Sequence, residues 1–231
     1  MTLQQVSVSR PLAAPAESAH DILWVTYRWM SVGLAITGLV AWLVAQSPAA
    51  LEVVLGNRMV FYGLLLAQLG LVFAFNSVAA RASTAAAAAM FFVYAALTGV
   101  TFSVIFLLYT ASSIASTFAV SAGAFAGLSV FGAVTRRDLS SVGRFATFAL
   151  IGLILASVVN FFLASTALVR ITTFAGVAIF AALTAYDTQK LMELYANGSG
   201  GNLALRGALT LYLDFINMFM FLLRLFGRRR E

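Results

Sequence analysis

An all-α, polytopic membrane protein of seven transmembrane helices is the fold class this sequence predicts, and three observations carry the prediction. Hydrophobic residues make up 62% of the 231 and charged residues only 10%, where soluble domains carry roughly 25% charged residues. The mean hydropathy is +0.97. The polar and charged residues cut the chain into apolar runs, each close to the ~20 residues needed to cross a hydrocarbon core of ~30 Å. The length leaves room for roughly six or seven such runs and short loops, and for no separate soluble domain.

The charge balance, 14 Lys and Arg against 8 Asp and Glu, gives a net charge of +6 without pointing to nucleic acid. The basic residues stand singly or in small groups at the ends of apolar runs, and only Arg228-Arg229-Arg230 cluster. Membrane orientation explains that distribution. The chain has no cysteine and a single histidine, His20. Disulfides, thiolate metal sites and cysteine nucleophiles are therefore excluded, and a histidine-based metal site would lack the several ligands such sites use. There is no phosphate-cradling glycine loop, no nucleophile paired with a histidine and no Gly-x-Gly-Asp sequence around Asp214. An enzyme is not expected.

In chain order, residues 1–23 form a polar N-terminal tail with Pro11 and Pro15, too irregular for a helix and expected to be mobile. The first run, Trp24 to Gln46, is longer than a secretory h-region and starts far from the N-terminus, so it is read as a retained span. Pro48 and Glu52 separate it from the second run, Met59 to Ala80, which Arg81 closes. The third, Ala85 to Tyr109, opens on five alanines, a slim end that permits close helix contact. An uncharged loop at Thr110 to Ser116 precedes the fourth run, Thr117 to Val134, whose Gly123 and Gly127 fit the small-xxx-small spacing of tightly packed spans. Arg136, Arg137, Asp138 and Arg144 mark the next loop, before a fifth run from Phe145 to Leu168. Gln68 and Asn160, inside the second and fifth runs, are expected to hydrogen-bond between helices. Arg170 marks the boundary to the sixth run, and the seventh is Leu203 to Phe226. Residues 24–227 thus form one seven-helix domain, followed by a basic tail, 228–231, whose arginines suit lipid phosphates.

The last two runs meet in a hairpin whose turn is Gly198-Ser199-Gly200-Gly201. Asp187 precedes this turn by about as many residues as Asp214 follows it, so at 1.5 Å per residue both carboxylates lie on the order of 15 Å from it. Two acids at one depth inside a membrane bundle are a functional-site hypothesis by default. Plainer accounts exist for each: Asp187 can pair with Lys190 one turn on, and Asp214 can make a structural hydrogen bond. Glu193 and Arg206, also on either side of the turn, suit a salt bridge closing the hairpin.

Counted along seven spans, the tail and the loops after the second, fourth and sixth helices collect Arg10, Arg28, Arg81, Arg136, Arg137, Arg144, Lys190 and Arg206, while the opposite loops hold Arg58 and Arg170. This places the N-terminus in the cytoplasm. It also sends Arg224 and the C-terminal arginines outside, against the trend, unless the seventh segment is re-entrant.

At the hairpin the sequence resembles the transmembrane Bax-inhibitor-motif family, and specifically its bacterial members. The matching stretches are Ala185-Tyr186-Asp187-Thr188-Gln189-Lys190, Leu211-Tyr212-Leu213-Asp214-Phe215-Ile216-Asn217 and Leu222-Leu223-Arg224-Leu225-Phe226-Gly227. The resemblance implies a fold whose last helix is central and wrapped by the other six, in the bacterial inner membrane. It also implies a pH-sensitive calcium leak, with the acid pair as sensor and a basic residue at the cytoplasmic end of the second helix as latch. Asp187 and Asp214 match the acids, and Arg81 stands at the end where the latch belongs. The alternative that the family offers is a non-conducting regulator that binds other membrane proteins, such as a membrane protease, or a cell-survival factor.

Two carboxylates a few ångströms apart in a low dielectric cannot readily both ionise and titrate as one unit. Removing the shared proton leaves a charge that must be relieved by separation, by Arg81 or by a cation. Calcium suits such a site, since it takes six to eight oxygen ligands in flexible geometry. Two aspartates supply at most four oxygens, with Asn217 and Thr184 as candidate additional ligands, so binding would be weak, as an ion that must leave again requires. No cofactor is expected beyond calcium itself as the bound or transported ion, and the surrounding partner is the lipid bilayer.

Overall fold

The polar residues that punctuate the sequence are the helix starts. Ser47, Asn57, Ser83, Thr110 and Ser165 each precede a helix and accept a backbone N–H from its first turn, satisfying donors that the helix itself leaves unpaired. The computed structural model describes residues 16–198 and 201–230. Within them run α1 (Ala16–Ala45), α2 (Pro48–Gly56), α3 (Arg58–Val78), α4 (Thr84–Leu108), α5 (Ala111–Val134), α6 (Ser140–Leu163), α7 (Thr166–Ala196) and α8 (Leu203–Phe226). All except α2 are long and apolar enough to span a membrane. The expected mobile tail lies for residues 1–15 outside the described residues, as do Ser199 and Gly200 of the glycine turn; the tail's remainder, 16–23, is the first part of α1.

The differences from expectation have local causes. Pro48 does not simply break the chain but sits in the first turn of α2, where its missing N–H costs nothing. The stretch expected as a loop before Thr117 is helical from Ala111. Arg144 and Arg170 lie inside α6 and α7, each of which starts earlier than the apolar run suggests. Hydroxyl residues are tolerated in such helices because they bond back to a carbonyl of the preceding turn, as Ser116 does to Ser113 at 3.1 Å.

The sequence position of α8 at the chain's end belies its place at the centre. In α8 56% of the apolar window is buried, against 6% in α3 and 11% in α6. Helices α1, α4, α5 and α7 pack directly on it, while α3 and α6 complete the surrounding six from a second rank, leaning on α4 and α7 respectively. The alanine-rich start of α4 does bring helices close: Ala87, Ala88 and Ala95 are buried, and Gly33 of α1 receives the Phe91 ring. Gly123 and Gly127, by contrast, do not mediate packing. The buried face of α5 is Ser121, Phe125, Ser129 and Gly132, and at 100° per residue the two glycines fall on its other side, with nothing within 4 Å of a built Cβ.

Both ends of α8 are tied down. At its start the Asn202 side chain donates to the carbonyls of Ala79 and Ala82 at 2.9 and 2.8 Å and accepts from Thr84 at 2.9 Å. At its end the backbone of the C-terminal tail is hydrogen-bonded to the α4–α5 turn, Thr110 N–H to Arg228 O and Arg230 N–H to Leu108 O, both at 3.0 Å. These two anchors are the two ends of α4. Helix α8 therefore crosses the bundle once, parallel to α4, and is not re-entrant.

Candidate functional site

On α8, Arg206, Thr210, Asp214 and Asn217 recur every three or four residues and form one polar stripe. The opposite side carries the anchors that fix the helix's rotation. Tyr212 packs edge-on against Phe91 and Tyr94, with centroids 5.7 and 5.9 Å away. Its hydroxyl lies 2.7 Å from Thr37 Oγ1, which is also 2.9 Å from Ala95 O and 3.0 Å from Gly33 O. Both carbonyls can only accept, so the single Thr37 proton goes to them and Tyr212 is the donor to Thr37. Phe215 fits between Phe118 and Phe125. With that side locked, the polar stripe is turned toward α7 and α6.

From α7 come Asp187, Leu183 and Phe180 on one face. The approach of α7 to its neighbours depends on missing side chains. A Cβ at Gly132 would collide with the Ala185 carbonyl, and one at Gly143 with the Tyr186 ring. The carboxyl groups of Asp187 and Asp214 come within hydrogen-bonding reach of one another, as the hairpin geometry predicts: about 14 Å of helix separates Asp187 from the end of α7, and about 17 Å lies between the start of α8 and Asp214 at 1.5 Å per residue. Two carboxyl groups can share a hydrogen bond only through a proton held by one of them. Asp214 is only 4% exposed, and its Oδ2 is buried without a partner from any other residue.

Two cavities meet at this pair. One, of about 170 Å³, lies toward the α7–α8 turn and includes Asn76, Lys190, Arg206 and Thr210 in its wall along with Asp187. The other, of about 750 Å³, is a groove between α6 and α8 floored by α7. It takes in Asp187, Thr210, Asp214 and Asn217 at its polar end and Phe161, Phe180 and Phe221 in its apolar part. Asp187 and Thr210 line both.

Of the residues picked out from sequence, Asp187, Asp214 and Asn217 are brought together. Asn217 Nδ2 is used by the Leu213 carbonyl at 2.8 Å. Thr184 stands one helical turn before Asp187 and lines neither cavity. It is fully buried, bonds back to Phe180 O at 2.8 Å, and lies to the other side of Asp187 from groove-lining Leu183. Arg81 falls beyond the end of α3 in the exposed turn before α4 and lines neither cavity. Glu193 and Arg206 face different cavities, Glu193 standing in a groove with Arg136 and Asp138, so no bridge between them closes the hairpin. Lys190 lines the smaller cavity and lies 5.3 Å from the centroid of the Tyr186 ring. Gln68 does bond between helices, accepting from Thr98 of α4 at 3.3 Å, whereas Asn160 serves its own turn by accepting from Ser165 N–H at 3.0 Å. Sequence reading missed Arg206 and Asn76 as neighbours of the pair. For Arg206 the signal was present, since it stands two helical turns before Asp214 on the same stripe; Asn76 had none.

Among the described residues no group of three or more His, Cys, Asp or Glu side chains converges, so any cation here would meet two carboxylates with hydroxyl, amide and water oxygens.

The family model described as "Inhibitor of apoptosis-promoting Bax1" matches residues 19–231. The chain is 46% identical over 228 residues to "Inner membrane protein YbhL" of Escherichia coli K12, covering 96% of this chain and 97% of that one. It is 48% identical to an uncharacterized protein of Deinococcus radiodurans, covering 100% and 99%, and 40% identical to one of Borreliella burgdorferi, covering 87% and 89%. Seven spanning helices and these relatives together make it a multi-pass protein of the inner membrane.

Proposed function

We propose, from the premise that this chain belongs to the family of inhibitors of apoptosis-promoting Bax1, that it is a pH-sensitive calcium leak whose gate is the Asp187–Asp214 pair. The observation that carries the reading is the position of the pair: Asp187 and Thr210 line both the cavity toward the α7–α8 turn and the groove along α6. An ion passing between the two spaces passes the carboxylates. Asp187 and Asp214 offer at most four oxygens, and Thr210 and Asn217 add two neutral ones nearby, the fewest oxygens calcium takes and only two of the four groups charged. A weak site that an ion can enter and leave is what conduction asks for.

Protonation sets the state of this gate. With one proton between them the carboxyl groups hold each other and draw α7 and α8 together. With none, two negative charges face each other in a low dielectric and must separate or take up a cation. Two cations stand in the wall of the adjoining cavity, Lys190, one helical turn from Asp187, and Arg206, whose Nε is buried without a partner. In this chain Lys190 of α7 and Arg206 of α8, and not Arg81 after α3, are the internal bases that compete with calcium.

The test is calcium influx into dye-loaded liposomes across about pH 5 to 8, comparing the intact chain with Asp187→Asn and Asp214→Asn. The expected result is flux that varies with pH in the intact chain and loses that variation in both variants. Flux no greater than that of empty liposomes at every pH, from protein shown to be folded, would overturn the reading in favour of a non-conducting regulator that binds other membrane proteins.

A further inference from the structure

The smaller cavity, toward the α7–α8 turn, holds more positive charge than the acid pair offsets. Three helices build its wall: α3 brings Asn76, α7 brings Asp187 and Lys190, and α8 brings Arg206 and Thr210. Among the described residues Asp187, Lys190 and Arg206 are the titratable groups in that wall. Asp187 and Asp214, hydrogen-bonded to each other through one proton, carry a single negative charge between them, against one positive charge on each base. No carboxylate lies within ion-pairing distance of either base among the described residues, and the Tyr186 ring beside Lys190 carries no charge. Thr210 spends its hydroxyl proton on the Arg206 carbonyl at 3.2 Å. The space left is about 170 Å³, room for about five waters at ~30 Å³ each.

We infer that this cavity is a phosphate-binding site at the cytoplasmic face of the membrane, with Lys190 and Arg206 as its charged donors and the Asn76 amide as a third. Its depth is that of a headgroup. Asn76 stands two residues before the end of α3, Arg206 three after the start of α8 and Lys190 six before the end of α7, so all three lie within about 9 Å of the helix ends at 1.5 Å per residue. Helix α3 makes no substantial contact with α7 or α8 among the described residues, so packing does not close the cavity on that side. Guanidinium and ammonium are the groups that recognise phosphate, and basic pockets between spans on the cytoplasmic side are where anionic headgroups lodge. The tetrahedral spread of phosphate oxygens suits donors arriving from three helices, which the single plane of a carboxylate does not. The phosphate is that of a lipid headgroup entering beside α3 or a free one from the cytoplasm. The inference does not depend on calcium passage.

Native mass spectrometry of the purified chain in maltoside micelles tests it with three probes: dihexanoylphosphatidylglycerol, inorganic phosphate, and dihexanoylglycerol, which keeps the chains and lacks the phosphate. The expected result is one phosphate-bearing molecule per chain, bound at least about tenfold more tightly than dihexanoylglycerol. Tighter binding of the lipid than of inorganic phosphate assigns the site to a headgroup, and the reverse to the free anion; both support it. The preference should fall by about tenfold in Arg206→Gln and in Lys190→Gln, the latter at an exposed position where the change leaves packing intact. It should persist in Arg81→Gln, which removes a base from the same end of the bundle but outside the cavity. Thermal unfolding of each variant shows whether it is folded. Equal binding of phosphatidylglycerol and dihexanoylglycerol, with no uptake of inorganic phosphate, would overturn the site. So would an undiminished preference in folded Lys190→Gln, or an equal loss in Arg81→Gln, which would mean attraction to the basic end as a whole. No flux enters the measurement, so this site and the calcium leak stand or fall separately.

Discussion

The two sides of α8 are built on opposite rules. Toward α1, α4 and α5, Tyr212 and Phe215 are sealed among aromatic rings, and the Tyr212–Thr37 hydroxyl pair is matched in donors and acceptors, with the small Thr26 hydroxyl of α1 the one buried side-chain polar atom left unpartnered on this side among the described residues. Toward α6, the same helix presents Thr210, Asp214 and Asn217 to an open groove, with a carboxylate oxygen left unpartnered. In a bilayer apolar surface gives helices little reason to associate, so close packing and satisfied hydrogen bonds hold the bundle together. The sealed side therefore carries the stability of the central helix, and the open side is free to be suboptimal, as sites that bind or move ions are.

The largest effect that should separate the two kinds of surface is steric. Gly132→Ala drives a Cβ into the Ala185 carbonyl, backbone against backbone, and should cost about 1–3 kcal/mol of stability. Gly127→Ala, on the outer face of the same helix with nothing within 4 Å, should be neutral or stabilising by up to about 1 kcal/mol, since alanine is the better helix former. Unfolding midpoints in detergent check both, and equal shifts would mean that α5 does not pack through Gly132. A smaller loss should follow Tyr212→Phe. It keeps the rings and removes only the donor to Thr37, for about 1 kcal/mol. A change near zero would show that the sealed side is held by shape alone.

Much of this division is legible in the sequence, and the parts that are not have physical reasons. Helix number follows from apolar runs of bilayer length, and the depth of Asp187 and Asp214 from counting residues across one turn. Which side of a span faces its neighbours is harder to read, because a lipid-facing leucine and a core leucine look alike in an apolar helix. Gly123 and Gly127 mislead for that reason: their spacing suits packing, but Ser121, Phe125 and Ser129 set the buried face. Arg81 misleads differently. A base at the end of an apolar run reads as a helix end, yet it lies in the turn beyond α3, while the bases that share a cavity with Asp187, Lys190 and Arg206, sit on the two helices that carry the acids. The C-terminal arginines read as a basic tail suited to lipid phosphates, and backbone hydrogen bonds from Arg228 and Arg230 to the α4–α5 turn, which no side-chain pattern announces, fix its backbone.

The smallest expected change in stability is the most telling, because it falls on the residue with the largest expected change in function. Asp214→Asn keeps the size of the side chain and removes a like charge from beside Asp187. The new amide can donate to the Asp187 carboxylate, which a second carboxylate cannot do without a proton. Stability should stay the same or rise, by no more than about 1 kcal/mol, measured as the unfolding midpoint at neutral pH. A buried acid serving as a structural hydrogen-bond partner behaves in the opposite way, since its loss strands the groups it was satisfying. A drop of about 1 kcal/mol or more would place Asp214 with Tyr212 among the groups that hold the bundle together and remove the distinction between the two sides of α8. An unchanged or raised midpoint, together with lost pH dependence of flux, would mark the open side as one kept for what it binds.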